Sequence, residues 1–180
     1  ADWAKLQNRP NVRVAAALVE IGETGLADDV LKQQAKIGPK DEYASLVRLT
    51  ETLNLPETVM WLGNNCPEGT KAPTIARFPA PKWAPAGGWT VDKALVYAHA
   101  LQESRFRKDV ISPAGAYGLM QIMPAAAVDY ARERGITVDR GALSLPSVNM
   151  AVGQRTLERL RDQSFTGGYL PKVIAAYNAG

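Results

Sequence analysis

Residues 102–124 read QESRFRKDVISPAGAYGLMQIMP and join two helix-forming segments through a loop rich in turn residues. Ser112 to Gly115 is a Ser-Pro-x-Gly sequence, which has proline and glycine at the positions that a β-turn favours. Before the loop we expect a helix from Val91 to about Phe106, capped by Thr90. After the loop we expect a helix from Leu119 to Arg134. The stretch therefore predicts two helices that present one loop between them.

The rest of the chain is also predicted to be helical. Apolar residues recur at helical spacing, and no period-2 alternation indicates a pair of strands, although a short hairpin near residues 106–118 stays open. The other predicted helices are Val12–Ile21, Leu26–Ile37, Tyr43–Leu53, Glu57–Asn64, Val148–Asp162 and Pro171–Tyr177. We therefore predict an all-α protein.

Prolines divide the chain. Five of the 12 prolines fall between residues 67 and 85, and proline fixes φ and removes a hydrogen-bond donor. We therefore expect a short helical superhelix or linker domain at 1–66, a Pro/Gly-rich linker at 67–88 and a second domain at 89–180. Residues 89–180 carry 11 basic and 8 acidic side chains, which accounts for the whole formal net charge of +3. That excess is too small to predict nucleic-acid binding.

Composition excludes several classes of site. The single cysteine, Cys66, rules out an internal disulfide framework and a cysteine-based zinc site. The single histidine, His99, rules out a His-rich metal site. Residues 110–128 carry no formal charge, but their two prolines argue against a membrane-spanning helix. The chain opens without Met or an apolar leader, so we expect a processed or excised piece.

Glu103 is the first candidate for chemistry. Val96, Ala100 and Glu103 lie at i, i+4 and i+7 of one predicted helix, on a stripe that is otherwise apolar or small. Loss of water favours the neutral form of a carboxyl group, and a protonated acid near neutral pH is what cleavage of a glycosidic bond requires. The alternative is an ordinary solvated glutamate at the edge of the stripe.

The loop is the second candidate. Gln121 and Met123 lie two residues apart, where an amide and a thioether would suit a sugar. The alternative is a packed loop with Met123 in the core.

Four blocks in order resemble one family. They are Gln102–Phe106, Ser112–Pro124, Asn149 with Gly153, and Ala175–Gly180, and they resemble the soluble lytic transglycosylases among the goose-type-lysozyme-like glycoside hydrolases, family 23. The resemblance covers residues 89–180 closely, whereas residues 1–88 look more loosely like the helical linker domain of larger members. It implies a lysozyme-like catalytic domain that cleaves peptidoglycan without hydrolysis and leaves 1,6-anhydromuramic ends, which makes the protein a lyase.

The resemblance assigns roles residue by residue. Glu103 matches the single catalytic acid and base, and Tyr177 matches the tyrosine that hydrogen-bonds the catalytic carboxyl group. His99 has no family role, so we expect it to be a packing residue. No metal or cofactor is implied. The positions that match the glycan-binding set are Ser104, Ser112, Gln121, Met123, Tyr177 and Asn178.

The match also has departures. Ala126 stands where the family usually has threonine, and Thr156 stands where it usually has tyrosine. Members continue past the last block with further helices, so we expect either that the native protein extends beyond residue 180 or that the rest is cleaved.

The expected partner is a peptidoglycan glycan strand, with envelope machinery as a further partner, and the expected state is a monomer. The expected location is the bacterial periplasm, with or without attachment to a membrane. Three rival functions stay open. They are a lysozyme-type muramidase that uses water, an inactive peptidoglycan-binding module, and a scaffold protein that docks through residues 1–66.

Overall fold

A computed structural model describes all of residues 1–180, which form nine α-helices and no strand. The all-α prediction is therefore confirmed. The chain divides into two compact units, Ala1–Lys82 and Trp83–Gly180. No helix is long and apolar enough to span a membrane.

The first unit is built from five helices. Four of them follow the predicted periodic segments, whereas the short first helix was not predicted. They are α1 (Asp2–Leu6), α2 (Pro10–Glu20), α3 (Thr24–Ile37), α4 (Tyr43–Thr52) and α5 (Pro56–Asn64). Prolines start α2 and α5 at the first helical position, where a missing N–H costs nothing. Their buried side chains form one apolar core that includes Leu6, Leu31, Val47 and Leu62.

Part of the predicted linker packs on this unit. A single 3-10 turn at Thr74–Ala76 lies against α5, and Ala76 is buried. Gly63 permits this approach, since a Cβ there would lie 2.4 Å from the Ala76 carbonyl oxygen. The boundary between the compact units falls at residues 82 and 83, inside the predicted linker. The assignment of 1–66, 67–88 and 89–180 as a linker domain, a linker and a catalytic domain stays a prediction.

The second unit holds four helices: α6 (Lys93–Ser104), α7 (Pro124–Arg134), α8 (Pro146–Asp162) and α9 (Leu170–Ala179). Helix α8 packs against each of the other three. Its buried residues, among them Met150, Val152 and Leu157, lie in the core with Val96 and Ala100 of α6. This packing fixes the ends of α6, α7 and α9 relative to one another.

Three predicted bounds of α6 and α7, the helices on either side of the loop, were wrong. Helix α6 begins two residues later than predicted because Asp92, rather than Thr90, is its N-cap and accepts a hydrogen bond from the Ala94 N–H at 2.7 Å. It ends at Ser104 because Arg105 and Phe106 adopt left-handed backbone, with φ of 52° and 60°.

Helix α7 begins at Pro124 instead of Leu119. Tyr117 forms isolated antiparallel bridges with Ile111 and Ile122, which is the only trace of the hairpin considered above. The loop from 105 to 123 is therefore irregular, with buried apolar side chains at its centre.

Candidate active site

Glu103 lies in the last turn of α6, on the predicted stripe. Val96 and Ala100 beneath it are buried, while Glu103 itself is partly exposed. Burial raises the pKa of the Glu103 carboxyl group above its ordinary value, and the nearby His99, when charged, offsets part of that rise. The site thus holds a carboxyl group that keeps its proton to higher pH than a free glutamate does.

His99 lies one turn before Glu103 and is only 5% exposed. Its Nδ1 is 2.9 Å from the Leu95 carbonyl oxygen, whereas its Nε2 is buried without a hydrogen-bond partner. The imidazole meets the Tyr177 ring edge to face, with 4.7 Å between the ring centroids. His99 does pack, as expected, but one of its nitrogens is left unpaired.

Tyr177 reaches this cluster from α9, near the end of the chain. Its hydroxyl donates to the Met120 carbonyl oxygen at 2.8 Å. Burial raises the pKa of the Tyr177 phenol, and the negative charge of Glu103 raises it further. The structure does not form the expected hydrogen bond between Tyr177 and the Glu103 carboxyl group, and the phenol donates its hydrogen to the Met120 carbonyl instead. Tyr177 therefore ties α9 to the loop while lying beside Glu103.

The loop is held in shape by its own turns. The Gly115 N–H donates to the Ser112 carbonyl oxygen at 2.9 Å, which closes the predicted turn. The Ser112 hydroxyl oxygen also accepts from the Ala116 N–H at 3.0 Å. Tyr117 and Ile122 exchange two backbone hydrogen bonds of 2.9 Å. Between them Gln121 adopts left-handed backbone with φ of 50°. Its side-chain amide donates to the carbonyl oxygens of Gly118 at 3.0 Å and Val110 at 3.4 Å, which fixes the orientation of the side chain.

Asn149 on α8 anchors the loop from beneath and is fully buried. Its Oδ1 accepts from the Met120 N–H at 2.9 Å, and its Nδ2 donates to the carbonyl oxygens of Tyr117 at 2.9 Å and Leu143 at 2.8 Å. One side chain thus satisfies three backbone groups of two separate loops.

Gly153 lies one turn further along α8 and makes room for the same loop. A Cβ at this position would lie 2.2 Å from the Met120 Sδ. The site residues named from the sequence did not include Asn149 or Gly153. A signal was available, because Asn149 and Gly153 form one of the four blocks that carry the family resemblance.

Of the remaining predicted site residues, one is buried and the other three are exposed or partly exposed. Ser104 is buried, and its hydroxyl donates to the Ala100 carbonyl oxygen at 3.0 Å, so the assignment of Ser104 to the glycan-binding set is corrected. Met123 is 43% exposed, which contradicts the alternative that placed it in the core. Asn178 is exposed and Ser112 partly exposed, so both are open to a ligand.

The arrangement provides one carboxyl group for acid–base chemistry. Asp92 lies 11 residues back on the same helix, roughly 16 Å away at about 1.5 Å per residue, and caps the helix with its carboxylate. Asp109 is exposed and lies beyond the helix end. No group of three or more His, Cys, Asp or Glu side chains is close enough together to hold a metal ion. What the site offers is a single acid beside a rigid, partly open loop.

Comparisons with curated proteins connect this unit to enzymes of the cell wall. Over 95 residues the chain is 37% identical to the soluble lytic murein transglycosylase of Salmonella typhimurium. This match covers 52% of this chain and 14% of that protein. Over 103 residues it is 34% identical to the membrane-bound lytic murein transglycosylase C of Histophilus somni, covering 53% of this chain and 28% of that protein. The matches therefore span less than a third of either relative.

Solved structures resemble the chain over nearly its whole length. The 70-kDa soluble lytic transglycosylase of Escherichia coli matches 98% of this chain with a TM-score of 0.77 and 25% identity. An inactive mutant of the lytic transglycosylase Slt of Pseudomonas aeruginosa, in which glutamine replaces a glutamate, matches 99% with a TM-score of 0.71 and 26% identity. In both cases the match covers 29% of the solved chain.

A family model for the transglycosylase SLT domain matches residues 84–180, which is more than half of the chain and nearly all of the second unit. This match includes Glu103, the loop, Asn149 and Tyr177. The chain belongs to the transglycosylase SLT domain family.

Proposed function

We propose that this protein is a peptidoglycan lytic transglycosylase that cleaves the β-1,4 bond between N-acetylmuramic acid and N-acetylglucosamine without water. Both curated relatives are named as lytic murein transglycosylases, and both solved neighbours are lytic transglycosylases. The observation that carries the proposal is the single desolvated carboxyl group of Glu103 beside the loop that Asn149 and Tyr177 hold.

Glu103 acts twice in this scheme. As an acid it gives its proton to the glycosidic oxygen while the bond from that oxygen to the muramic anomeric carbon breaks. As a base it then takes the proton from the 6-hydroxyl of the same sugar, and that oxygen bonds to the anomeric carbon. The proton returns to Glu103 and a 1,6-anhydro ring is formed. Because the nucleophile is already part of the substrate, proximity replaces a bound water.

We assign the open residues around Glu103 to substrate binding. Gln121, whose amide hydrogens point at backbone carbonyls, would direct its oxygen toward sugar N–H and O–H groups. Met123 would lie against a sugar face, since its side chain is largely exposed at the start of α7. Ser112 and Asn178 would contact the strand at its edges. Tyr177 would fix the loop rather than bind the glycan.

Glu103→Gln tests the catalytic assignment. The amide keeps the shape of the side chain but carries no transferable proton, so release of muropeptides from purified peptidoglycan should fall by at least about 100-fold. Asp109→Asn is the matched control, because it neutralises the other carboxylate near the end of α6. It should keep wild-type activity, whereas a mechanism with two carboxylates would lose activity in both variants. Residual activity of Glu103→Gln above about a tenth of wild type would remove Glu103 from the chemistry.

The products distinguish the transglycosylase from a hydrolase of the same fold. Mass spectra of the released muropeptides should show 1,6-anhydro ends that borohydride does not reduce. Products that gain two hydrogens would make the protein a lysozyme-type muramidase. Binding to peptidoglycan with no released fragments would make it an inactive binding module.

We further propose that the protein acts in the bacterial cell envelope. Its relatives are described as one soluble and one membrane-bound murein transglycosylase, and murein is a polymer of the envelope. A monomer would be sufficient, because every residue assigned to the site comes from one chain. Fractionation of cells that express the protein would test the periplasmic location.

A further inference from the structure

The backbone turns out of the helix directly after the proposed catalytic acid. Helix α6 ends at Ser104, and Arg105 and Phe106 adopt left-handed backbone, with φ of 52° and 60°. Residues with a side chain seldom adopt this conformation, and seldom in succession, because each Cβ crowds the following carbonyl oxygen. The sequence has no glycine or proline between Thr90 and Ser112 that would end a helix there. The end of α6 is therefore imposed by the surroundings of these two residues.

Phe106 provides the support for this end. Its side chain is 2% exposed. The ring packs edge to face against Tyr97, with 6.1 Å between the centroids, and its centroid lies 6.5 Å from that of Trp83. The Tyr97 hydroxyl donates to the Trp83 carbonyl oxygen at 3.0 Å, and the Phe106 N–H donates to the Ala100 carbonyl oxygen at 3.2 Å. Burial of a large aromatic side chain is strongly stabilising, and it offsets backbone strain of this kind.

A helix that continued past Ser104 would change the neighbours of the acid. Glu103 and Arg107 lie at i and i+4, where a glutamate and a cation four residues later form a favourable ion pair on an α-helix. In the structure Arg107 is placed differently, because its Nε and its N–H donate to the Ser104 carbonyl oxygen at 3.0 and 3.1 Å. The ion pairs of the second unit do not include Glu103. The left-handed end thus turns Arg107 onto the last carbonyl group of α6.

We propose that Phe106 is a positioning residue for Glu103. Its buried ring ends α6 in left-handed backbone, which directs Arg107 to the Ser104 carbonyl oxygen and leaves the acid without a cationic partner. This inference rests on the proposed function, because a general acid must keep its proton until the substrate takes it. An ion pair with an arginine would favour the carboxylate and oppose that role.

The other groups around Glu103 leave its acid form favoured. Burial raises the pKa of the Glu103 carboxyl group, and His99 of α6, when charged, lowers it by a smaller amount. The phenol of Tyr177 on α9 stays neutral, because its own pKa is raised by burial. The buried residues of α8, which packs on α6, are uncharged. In a continued helix, Arg107 would add a permanent positive charge to these surroundings.

A carbon-13 titration of the glutamate carboxyl groups in the full chain tests the proposal. The Glu103 signal is identified as the one that Glu103→Gln lacks. Phe106→Ala removes the ring that ends α6, so the Glu103 carboxyl pKa should fall by about 0.3, as expected of one i,i+4 ion pair. The double variant Phe106→Ala with Arg107→Gln should restore the wild-type pKa, because glutamine carries no charge. Arg107→Gln alone is the control and should leave the Glu103 pKa unchanged.

Three outcomes of this titration would overturn the proposal. One is an unchanged Glu103 pKa in Phe106→Ala. Another is an equal fall in the double variant, which is what a purely structural role of Phe106 predicts. The third is a rise of the Glu103 pKa in Arg107→Gln, because Arg107 would then already act on the acid in wild type.

Arg105 provides a second pair of variants that leaves the aromatic core intact. Its side chain is exposed, so neither substitution removes a buried contact, and both remove the same charge. Valine is strongly disfavoured in left-handed backbone, whereas glycine adopts it without strain. The Glu103 carboxyl pKa should therefore be lower in Arg105→Val than in Arg105→Gly. Equal values in the two variants, with circular dichroism showing both folded, would contradict the proposal even if Phe106→Ala does not fold.

Kinetics on purified peptidoglycan provide the functional readout. Above its pKa, a carboxyl group whose pKa falls by about 0.3 keeps about half as much of its acid form. At neutral pH the kcat of Phe106→Ala should therefore be about twofold below that of the double variant, with equal KM. Equal kcat values would exclude a role of Phe106 in the chemistry. If wild type releases no muropeptides, the proposed function fails, while the carboxyl titration still decides whether Phe106 keeps Arg107 from Glu103.

Discussion

Replacement of Asn149 should separate the loop from the helix beneath it. The side chain makes three buried hydrogen bonds, to Met120 N–H and to the carbonyl oxygens of Tyr117 and Leu143. Each is worth about 1 kcal/mol net. In the alanine variant the Met120 N–H and the Leu143 carbonyl oxygen lose their partner, whereas the Tyr117 carbonyl oxygen keeps its bond from the Ile122 N–H. Asn149→Ala should therefore lower the free energy of unfolding by about 3 kcal/mol, a large part of the roughly 5–15 kcal/mol typical of a domain.

Asn149→Asp is the sharper version of the same test. The aspartate keeps the acceptor for Met120 N–H but turns a carboxylate oxygen toward two carbonyl oxygens that lie 2.8 and 2.9 Å from the present Nδ2. A buried charge without a partner should cost at least about 3 kcal/mol. The folded-state pKa of this aspartate is expected to lie above its unfolded value of about 3.9. Stability should therefore be greatest at acid pH and be lost as the pH rises through the folded-state pKa.

Urea unfolding at pH 4 and pH 7, followed by tryptophan fluorescence, measures both effects. Gln154→Ala is the matched control, because it removes a buried amide with two hydrogen bonds from the same helix. It should destabilise the unit by about 2 kcal/mol and leave the loop in place. Muropeptide release should consequently survive in Gln154→Ala and fail in folded Asn149→Ala. A loss below about 1 kcal/mol for Asn149→Ala would refute the view that this side chain holds the loop.

Three further predictions follow from other contacts. Gly153→Ala should lower the free energy of unfolding by about 1–3 kcal/mol in urea titrations, because the added Cβ would overlap the buried Met120 side chain. Gly25 is a helical glycine with open space around it, so the control Gly25→Ala should not destabilise the protein. Equal effects of the two substitutions would contradict this reasoning. Glu133 pairs with two arginines of α8, which lower the pKa of its carboxyl group to about 2. The contribution of these ion pairs to the stability of the fold should therefore be lost as the pH falls from about 4.5 toward 2. Thermal melts of Glu133→Gln should lack that part of the pH dependence. Burial raises the pKa of the Glu103 carboxyl group, so its ionisation lowers the stability of the folded protein above pH 4.5. Glu103→Gln should therefore have a slightly higher melting temperature than wild type at pH 7 and the same melting temperature at pH 4. A lower melting temperature of the variant at pH 7 would contradict the desolvation of Glu103.

Helices could be predicted from the sequence where their cause is local. Apolar spacing identified α2 to α5 and α8, and Val96 and Ala100, the members of the predicted stripe that precede Glu103, are buried. Local signals failed at Ser104, where a polar residue beside the acid looked available to a ligand. Its hydroxyl instead bonds one turn back along the helix, an arrangement that sequence spacing allows but does not require.

The loop shows why the rest could not be predicted. Residues 119–123 have the apolar character of a helix, yet Gln121 adopts left-handed backbone, which a non-glycine residue seldom adopts without support from its surroundings. That support comes from Asn149, 29 residues beyond Met120, and from Tyr177, which lies 57 residues beyond it.

These two side chains bind both backbone polar groups of one residue, the N–H and the carbonyl oxygen of Met120. Such distant bonds leave no periodic trace in the sequence. They also explain how a loop next to the proposed catalytic acid can be irregular and still be held in shape, because one anchor comes from α8 and the other from α9, which packs against α8.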